Sequence, residues 1–311
     1  MVSNGGVIGK ASGLGTLNTP AGTVTAVTAS GDFTTAAGVT SADVLVVGGG
    51  GGGGSYCGGA GAGGVCYQPG RTVTGGTAYE VTIGAGGTGG GNHATGLAGN
   101  ITKGVDTTFD DGGTTITAEG GGFAFDDWVS IGGSGGGAGD TGINGNDYPS
   151  TTNSYPGESY GTGTQGPSGG ATGYGNNGAP GNRWGGSNTG GGGGGAGANG
   201  STSTSSPSKE GGFGGAGKDY GPVFGTTVGE DGWFGGGAAG AGSGGGPPAP
   251  AEGGGGLAGV GEANTGGGGA NANGGSGVVI VKEGAGSAAI APGMWTLKDV
   301  FDAEKADTWP T

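Results

Sequence analysis

Residues 38–64 read GVTSADVLVVGGGGGGGSYCGGAGAGG and join two kinds of sequence with opposite properties. The segment ADVLVVG is a continuous apolar run with the length of a buried β-strand. It leads directly into seven consecutive glycines at positions 48–54. Because glycine loses more backbone freedom on folding than any other residue, these glycines can be ordered only if strong interactions hold them.

The composition of the whole chain also lacks the apolar side chains that normally stabilise a fold. Glycine accounts for 98 of the 311 residues, and large aliphatic residues are too few for an ordinary core. Tracts without side chains can still cohere as extended left-handed helices with three residues per turn, which hydrogen-bond sideways through their backbones. In residues 163–181 glycine recurs at every third position except Thr172. A collagen triple helix would need an unbroken period and more than the 13 prolines present, so we predict packed polyglycine II helices.

Strand patterns lie on both sides of the opening segment. Residues 22–33 and 77–87 alternate β-branched or aromatic residues with small or polar ones, as half-buried strands do. Residues 100–122 predict two short strands joined by the turn DDGG, and residues 274–284 predict a final strand. The runs DVLVV and GVVIV are apolar on both faces, so we expect them to lie in one sheet.

Together these patterns predict a mostly β and irregular fold with one glycine-rich module at residues 23–284. Its parts are a small β-scaffold at 23–122, closed by a strand at 277–282, and a region of packed polyglycine II helices and long glycine-rich loops at 123–276. Residues 1–22 form an N-terminal segment that we assign to attachment or assembly. Residues 285–311 form a C-terminal tail.

The C-terminal tail differs in character from the module. The sequence MWTLKDVFDAEKADTW spaces its apolar residues as a short amphipathic helix does. So short a helix is marginal alone, so we expect it to dock on another copy of the chain or on another protein. Packing back on its own module is the alternative. The residues assigned to this assembly contact are Trp295, Leu297, Val300, Phe301 and Trp309.

The charge balance narrows the classes of partner. The formal net charge is −14, with nine Lys and Arg residues and no basic cluster, which argues against nucleic acid and anionic membranes as partners. No run of about 18 apolar residues is present, so the sequence predicts no membrane insertion. The N-terminus lacks the apolar region of a secretory signal.

Residues that carry catalytic or metal chemistry are scarce. His93 stands alone, without a nucleophile or paired ligands, and no glycine run is followed by the Lys-Ser or Lys-Thr of a phosphate-binding loop. The acidic pairs Asp110–Asp111 and Asp126–Asp127 lack the spacing of a cation-binding loop and are typical of solvated turns. We therefore predict no enzyme, no cofactor and no metal site.

Cys57 and Cys66 are the only cysteines, and they enclose the loop CGGAGAGGVC. They could form a disulfide if the protein matures in an oxidising compartment, or remain two buried thiols. Two thiols and a distant histidine are too few for a structural zinc site.

Three landmarks, in this order, resemble a known family. The segments ADVLVVGGGGGGGSYCGGAGAGGVCY, TAYEVTIGAGGTGG and GGSGVVIVKE are similar to the glycine-rich module at the distal ends of bacteriophage tail fibres and in some bacterial surface proteins. The resemblance covers about residues 39–283. It implies layers of polyglycine helices whose connecting loops contact a host receptor. Residues 4–22 and 291–311 also resemble end segments of structural proteins from marine phages.

The same resemblance implies a location and partners. It places the protein in the virion, after synthesis in the host cytoplasm, as a tail fibre or spike. The expected partners are a host-surface receptor, either a glycan or an outer-membrane protein, other virion proteins, and further copies of the chain, with a trimer favoured. The alternative is a self-assembling filament or a capsid-decoration protein that binds no receptor.

Aromatic residues interrupt the glycine-rich sequence and are the candidates for receptor contact. Rings beside Gly, Ser and Asn give a large contact area at low entropic cost, and they also stack on sugars. The residues assigned to receptor binding are Trp128, Tyr148, Tyr155, Tyr160, Tyr174, Trp184, Trp233 and Phe234. The alternative is that these rings seal the ends of the glycine helices as small local cores. We favour binding for Tyr148, Tyr155 and Tyr160.

Overall fold

The structure, a computed structural model, describes residues 22–54, 58–90, 101–125, 128–139, 160–184, 187–203, 210–242, 251–256 and 259–284. Within these ranges the chain forms mainly strands in antiparallel sheets, with a single helical turn, which confirms the predicted β and irregular fold class. The predicted C-terminal helix, with Trp295, Leu297, Val300, Phe301 and Trp309, lies outside the described residues.

The elements follow one another in chain order. They are β1 (Val24–Val27), β2 (Gly31–Thr34), β3 (Ser41–Val47), β4 (Val65–Thr72), β5 (Ala78–Thr82), β6 (Thr107–Asp110), β7 (Thr115–Ala118), β8 (Ala124–Phe125), β9 (Trp128–Val129), β10 (Thr172–Tyr174), β11 (Asn182–Trp184), β12 (Ser187–Thr189), β13 (Lys218–Asp219), α1 (Gly221–Phe224), β14 (Trp233–Phe234) and β15 (Val278–Glu283). The pairs β8–β9, β11–β12 and β13–β14 are two-stranded ladders.

Two larger sheets pack face to face as a sandwich. The five-stranded sheet has the order β1-β15-β3-β4-β10, and the four-stranded sheet has the order β2-β5-β6-β7. Phe109 and Ile116 of the four-stranded sheet are fully buried against the five-stranded sheet. The opposite face of the five-stranded sheet is covered by α1 and β14, through Phe224 and Phe234. The five-stranded sheet is therefore enclosed on both faces.

Enclosure on both faces explains the apolar run at residues 44–47. β3 and β15 are adjacent antiparallel strands with Val46 opposite Val279, so the prediction that DVLVV and GVVIV share a sheet is confirmed. Val46 packs in the core between the two sheets, whereas Leu45 packs with Phe224 on the other face. Because both faces are covered, the strand needs apolar residues at consecutive positions.

Other strand predictions are only partly confirmed. Residues 100–122 form the hairpin of β6 and β7, and residues 77–87 supply β5. The prediction of a single strand at 22–33 is wrong, because the chain turns within it and gives β1 to one sheet and β2 to the other. No sequence pattern predicts β4, since Pro69 and Gly70 interrupt it and Gly70 has φ +59°.

Scaffold and glycine-rich tracts alternate along the chain. β10 lies beyond the predicted boundary at 122/123 but joins the five-stranded sheet. Residues 48–54 lie before that boundary but hydrogen-bond within the glycine-rich part. The boundary predicted between a β-scaffold and a polyglycine region therefore does not separate the two kinds of structure.

An ion pair between buried Arg71 and partly exposed Asp111 links the two sheets. Arg71, on β4, is only 5% exposed; it pairs with Asp111 and donates hydrogen bonds to the carbonyl oxygens of Thr114 and Gly169 at 2.9 and 3.2 Å. Asp111 also accepts backbone N–H bonds from Gly113 and Thr114, at 3.0 and 2.7 Å. Burial raises the pKa of Asp111, but the backbone bonds and Arg71 together outweigh it and hold this pKa below its ordinary value.

The lowered pKa predicts acid sensitivity of the sandwich. Since the folded-state pKa of Asp111 lies below the unfolded one, its stabilisation is present above the unfolded-state pKa of about 3.9 and is lost as the pH falls through the folded-state value. Asp111→Asn should therefore lower the free energy of unfolding at pH 7, and its difference from wild type should shrink as the pH falls below about 4. Denaturant unfolding of both proteins across this range measures the difference. A difference that stays constant with pH would contradict the assigned role of the carboxylate.

The seven glycines after β3 lie in a lattice of extended tracts. Their N–H groups donate in three directions that repeat at every third residue. Gly48 and Gly51 donate to Gly64 and Gly61, Gly49 and Gly52 to Val105 and Thr102, and Gly50 and Gly53 to Gly275 and Ala272, at 2.9–3.1 Å. A period of three is the one that the predicted polyglycine II helix requires.

The carbonyl groups of the same run accept bonds from three further tracts. The oxygens of Gly49, Gly50 and Gly51 accept from the N–H groups of Gly121, Gly87 and Gly269. With the three tracts that accept from it, the run 48–54 has neighbours on six sides. Backbone hydrogen bonds therefore supply the cohesion that side chains supply in an ordinary core.

Close packing excludes side chains from the centre of the lattice. A Cβ atom on Gly49 or Gly51 would overlap the carbonyl oxygen of Ala85 or Gly122. In the outer tract that follows β5, Ala85 and Thr88 are exposed and stand three residues apart. Uninterrupted glycine runs thus occupy the centre, and runs interrupted at every third position can lie at the surface.

The period-three stretch at 163–181 is not one continuous tract. Gly169 and Gly170 have φ +56° and +86° and form a turn, after which β10 pairs with β4. On either side of this turn, Gly163 and Gly178 have no room for a Cβ atom, whereas Gly166 faces open space. The single period-three pattern in the sequence therefore corresponds to two shorter tracts on either side of a turn.

Candidate functional site

The glycine lattice has two distinct ends. At the sandwich end the tracts continue into strands, since Gly48 follows β3 and Gly64 precedes β4. Six residues after Gly48, Gly54 donates to the carbonyl oxygen of Ala124 at 2.9 Å. We call this opposite end of the lattice the far end.

Connections between tracts start from the far end. The hydrogen bonds that bring their flanking residues together are Gly90 to Gly53, Gly137 to Gly59, Gly59 to Gly191, Ala138 to Ala179, Gly190 to Ala241 and Gly212 to Gly190, at 2.8–2.9 Å. These residues lie near the connections at 55–57, 91–100, 140–159, 185–186, 204–209 and 243–250, which are outside the described residues, and Phe125, which lies against Gly54, precedes the connection at 126–127. The far end is therefore where most of the connecting sequence outside the described residues is attached.

A small apolar cluster seals part of the far end. Ile101 and Phe125 are buried together, with Phe123 packed against them. Gly54 lies against both, because a Cβ atom there would overlap the Phe125 ring and approach Ile101 Cδ1. Phe125 thus has the sealing role that was the alternative for the aromatic residues. Sequence reasoning missed it, although its apolar neighbours Phe123 and Ala124 were a usable signal.

Part of the predicted receptor-binding set lies at the far end. Trp128 is opposite Phe125 in the ladder of β8 and β9, and Trp184 lies in the hairpin of β11 and β12 that Gly190 follows. Tyr160 is partly buried and immediately precedes the tract that begins at Gly161. The side chains of Trp128 and Trp184 are not described. Tyr148 and Tyr155 lie outside the described residues, in the connection that ends at Tyr160.

The rest of the set lies beside the sandwich. Phe234 is fully buried with Leu45 on the outer face of the five-stranded sheet, so its assignment to receptor contact is wrong. Its ladder with β13 turns the ring inward. Tyr174 is partly buried against the same cluster, with the Lys218 ammonium 3.9 Å from its ring centre. Trp233 is partly exposed.

No protein-family model matches the chain, and no curated protein matches it. Within the described ranges, the structure contains no helix with the length and apolar character needed to cross a membrane. In the same part of the chain, no group of three His, Cys, Asp or Glu side chains is placed to share a metal ion.

An aromatic cluster closes the sandwich beside Tyr174. The ring centres of Tyr67 and Tyr220 are 5.0 Å apart, and those of Tyr67 and Phe224 are 6.0 Å apart. Burial is the main cause that raises the pKa of Tyr220, and the neighbouring Tyr174 and Tyr67 add to it. These rings belong to the core that covers the five-stranded sheet, so they act as a seal.

Cys66 is a free, fully buried thiol on β4. Its Sγ donates a hydrogen bond to the carbonyl oxygen of Thr117 at 3.4 Å. Burial, with a smaller effect of Glu119, raises the pKa of Cys66 to about 12, so the unreactive thiol form predominates at neutral pH. Of the two alternatives for the cysteines, the structure shows the thiol at Cys66, and Cys57 lies outside the described residues.

Proposed function

We propose that the protein is a bacteriophage virion component, a tail fibre or spike, that binds a host-surface receptor at the far end of its glycine lattice. The observation that supports this proposal is the polarity of the molecule. β15 leaves the lattice at Val278 and runs to Glu283, whose N–H donates to Thr23. The described residues next to 1–21 and 285–311 therefore lie at the end of the sandwich opposite the lattice.

This polarity suits a protein that links a particle to a cell. In this proposal, the segments that continue from the sandwich end contact virion partners or further copies of the chain, and the connections that continue from the far end contact the receptor. Because backbone bonds hold the tracts together, the connections can change sequence without altering the lattice. Tyr, Trp, Ser and Asn suit a glycan or an outer-membrane protein as receptor. The proposal includes no catalytic step and no cofactor.

Combined replacement of Tyr148, Tyr155 and Tyr160 by alanine is expected to abolish receptor binding. Aromatic residues at the centre of an interface often contribute about 2 kcal/mol or more each, so additive loss of three should lower the affinity on the order of 10⁴-fold. Adsorption of fluorescently labelled protein to candidate host cells measures this loss. Thermal unfolding checks that the variant remains folded.

A matched variant tests whether receptor binding is confined to the far end. Trp233→Ala removes a partly exposed ring beside the sandwich. Trp233 belongs to the receptor-binding set predicted from the sequence, but it lies away from the far end, where this proposal puts the receptor contact, so its loss should leave adsorption unchanged. Wild-type adsorption by the folded triple variant would show that the three tyrosines are not the receptor contact. Concentration-dependent fibre growth by the wild-type protein, without adsorption to any host, would favour the filament or capsid-decoration alternative.

A further inference from the structure

Within the described ranges, asparagine is followed directly by glycine at three places in the lattice. The three pairs are Asn177–Gly178, Asn199–Gly200 and Asn273–Gly274. In a flexible chain an Asn–Gly pair is chemically weak, because the backbone nitrogen of the glycine can attack the side-chain Cγ of the asparagine. The missing Cβ of the glycine leaves that approach open. Three such pairs in ordered tracts therefore need a structural reason.

The lattice requires glycine at the second position of each pair. A Cβ atom on Gly178, Gly200 or Gly274 would overlap a carbonyl oxygen of a neighbouring tract. The N–H groups of these three glycines are also bonded, and they donate to the carbonyl oxygens of Gly161, Asn177 and Gly87 at 3.0, 2.9 and 2.9 Å. Close packing thus excludes a side chain from this position and fixes the attacking nitrogen.

The asparagine at the first position is bonded through its side chain. Asn177 Oδ1 accepts a hydrogen bond from the N–H of Gly163 at 2.9 Å, and Asn199 Oδ1 accepts one from the N–H of Asn177 at 3.0 Å. Asn273 Oδ1 accepts a hydrogen bond from the N–H of Gly89 at 2.7 Å. Each asparagine therefore uses its amide oxygen to hold a backbone N–H group of a neighbouring tract.

The two bonds of each pair go to the same neighbouring tract. The pair at 177–178 bonds to the N–H of Gly163 and the oxygen of Gly161, and the pair at 273–274 bonds to the N–H of Gly89 and the oxygen of Gly87. The pair at 199–200 bonds to both backbone groups of residue 177. We call this two-bond arrangement the amide clip.

We propose that the three amide clips are latent modification sites, which are unreactive while the lattice is closed and are converted when their tracts separate. In a closed clip, the glycine nitrogen and the asparagine amide are both held on the neighbouring tract, so they cannot approach each other. Opening breaks both bonds and frees the two groups at the same moment. The protection is thus a property of the closed lattice and is independent of what the far end binds.

The conversion needs only water as a co-reactant. In the opened tract the glycine N–H loses its proton to water, the nitrogen bonds to the asparagine Cγ, and the Cγ–Nδ2 bond breaks to release ammonia. Water then opens the resulting succinimide ring at either of its carbonyl groups. The products are aspartate, when the original main chain is restored, and isoaspartate, when the main chain passes through Cβ and Cγ.

Isoaspartate prevents the tract from returning to its place. It adds one atom to the main chain between the asparagine position and the glycine. On either side of the pair at 177–178, the Asn176 oxygen accepts from the Gly135 N–H and the Ala179 N–H donates to the Gly192 oxygen, both at 2.9 Å. A longer main chain cannot keep both bonds in register. Opening followed by conversion therefore becomes irreversible unfolding.

Peptide mapping of the full-length protein by mass spectrometry tests the protection. The protein is incubated at mildly alkaline pH, folded or in denaturing urea, beside free peptides with the sequences of residues 174–181, 196–203 and 270–277. In the folded protein each pair should convert at least about 100-fold more slowly than in its peptide, because reaction requires transient opening. In urea the rates should match those of the peptides.

Two variants at one position test the amide clip of Asn199. Asn177→Pro removes the N–H group that Asn199 Oδ1 accepts, but it keeps the carbonyl group that accepts from Gly200. Proline suits an extended left-handed tract, and Pro180 already lies three residues further along the same tract. Asn177→Ala removes the same side chain and keeps the N–H group. Asn199 should convert several-fold faster in folded Asn177→Pro than in folded Asn177→Ala.

Refolding tests the irreversibility. Glutamine before glycine must form a six-membered ring and reacts far more slowly, so the triple variant Asn177→Gln, Asn199→Gln, Asn273→Gln is the matched control. After a long incubation in urea and dilution, the variant should recover its native tryptophan fluorescence in higher yield than wild type. After a brief exposure to urea, each protein should refold to the yield set by its own stability.

Three results would overturn the proposal. The first is conversion of the pairs in folded wild-type protein at the rates of the free peptides. The second is equal conversion of Asn199 in the two folded variants at position 177. The third is complete refolding of wild-type protein in which mapping shows isoaspartate at all three pairs. The first and third measurements use wild-type protein alone, so they decide the proposal if a variant does not fold.

Discussion

Gly51→Ala should destabilise the protein by about 3 kcal/mol or more, although it adds one methyl group to an uncharged residue. Gly51 lies in the run with neighbours on six sides, and its Cβ would overlap the carbonyl carbon and oxygen of Gly122. A backbone carbonyl in a packed tract cannot rotate away as the end of a flexible side chain can. The tracts must separate, which lengthens hydrogen bonds on several sides. Denaturant unfolding of the variant measures the loss.

The matched control is the same substitution at Gly166. This glycine has open space where its Cβ would lie, and its φ is outside the left-handed region. Alanine there should be neutral or stabilise by about 0.4–1 kcal/mol, because it restricts the unfolded chain without meeting a neighbour. Gly178→Ala, in the same period-three stretch, should resemble Gly51→Ala, since its Cβ would overlap the Gly136 oxygen. Equal effects at all three sites would contradict the packed lattice.

The sequence predicts those parts of the fold in which local pattern and burial agree. The apolar run at 42–47 matches a strand enclosed on both faces, and the DDGG turn matches the hairpin of β6 and β7. β4 is hidden because its middle contains Pro69 and Gly70. The backbone there is positioned by tertiary contacts, such as the bond from the Gly70 N–H to Asp43 Oδ1 at 2.8 Å.

The lattice shows why glycine content alone predicts so little of the arrangement. The number of consecutive glycines reflects how many neighbours a tract has, but it does not identify those neighbours. Residues 48–54 bond to tracts as distant in sequence as 272–275, because the backbone of each tract offers nearly the same donors and acceptors. For the tracts that continue directly from strands of the sandwich, such as 48–54 after β3, the position of the strand fixes where the tract begins.

The candidate sites were harder to predict for a related reason. Phe234 has the local sequence of an exposed loop, GEDGWFGGG, but its ladder with β13 buries it. The side-chain oxygens of Asn177 and Asn199 accept the N–H groups of Gly163 and Asn177, which lie 14 and 22 positions away and which no local pattern connects to them. Their role is visible only when adjacent tracts are known.

Val279→Asp should be the most damaging single substitution in the sandwich. Val279 is fully buried on β15, opposite Val46, in the core between the two sheets. A carboxylate there loses its hydration, and the apolar side chains of that core offer it no hydrogen bond. The chain must bury a protonated acid, admit water or separate its sheets, each of which costs several kcal/mol. We expect a loss on the order of 4 kcal/mol or more and a large fall in melting temperature.

The control for this prediction is the same chemical change on the surface. Val105 is 53% exposed at the edge of the lattice, so Val105→Asp should change the free energy of unfolding by less than about 0.5 kcal/mol. The free energy of unfolding of Val279→Asp should also recover partly as the pH falls, because protonation removes the buried charge. An unchanged melting curve for Val279→Asp would mean that β3 and β15 do not form the centre of the fold. If the loss of unfolding free energy does not diminish at low pH, the altered shape of the side chain, and not its charge, is the cause.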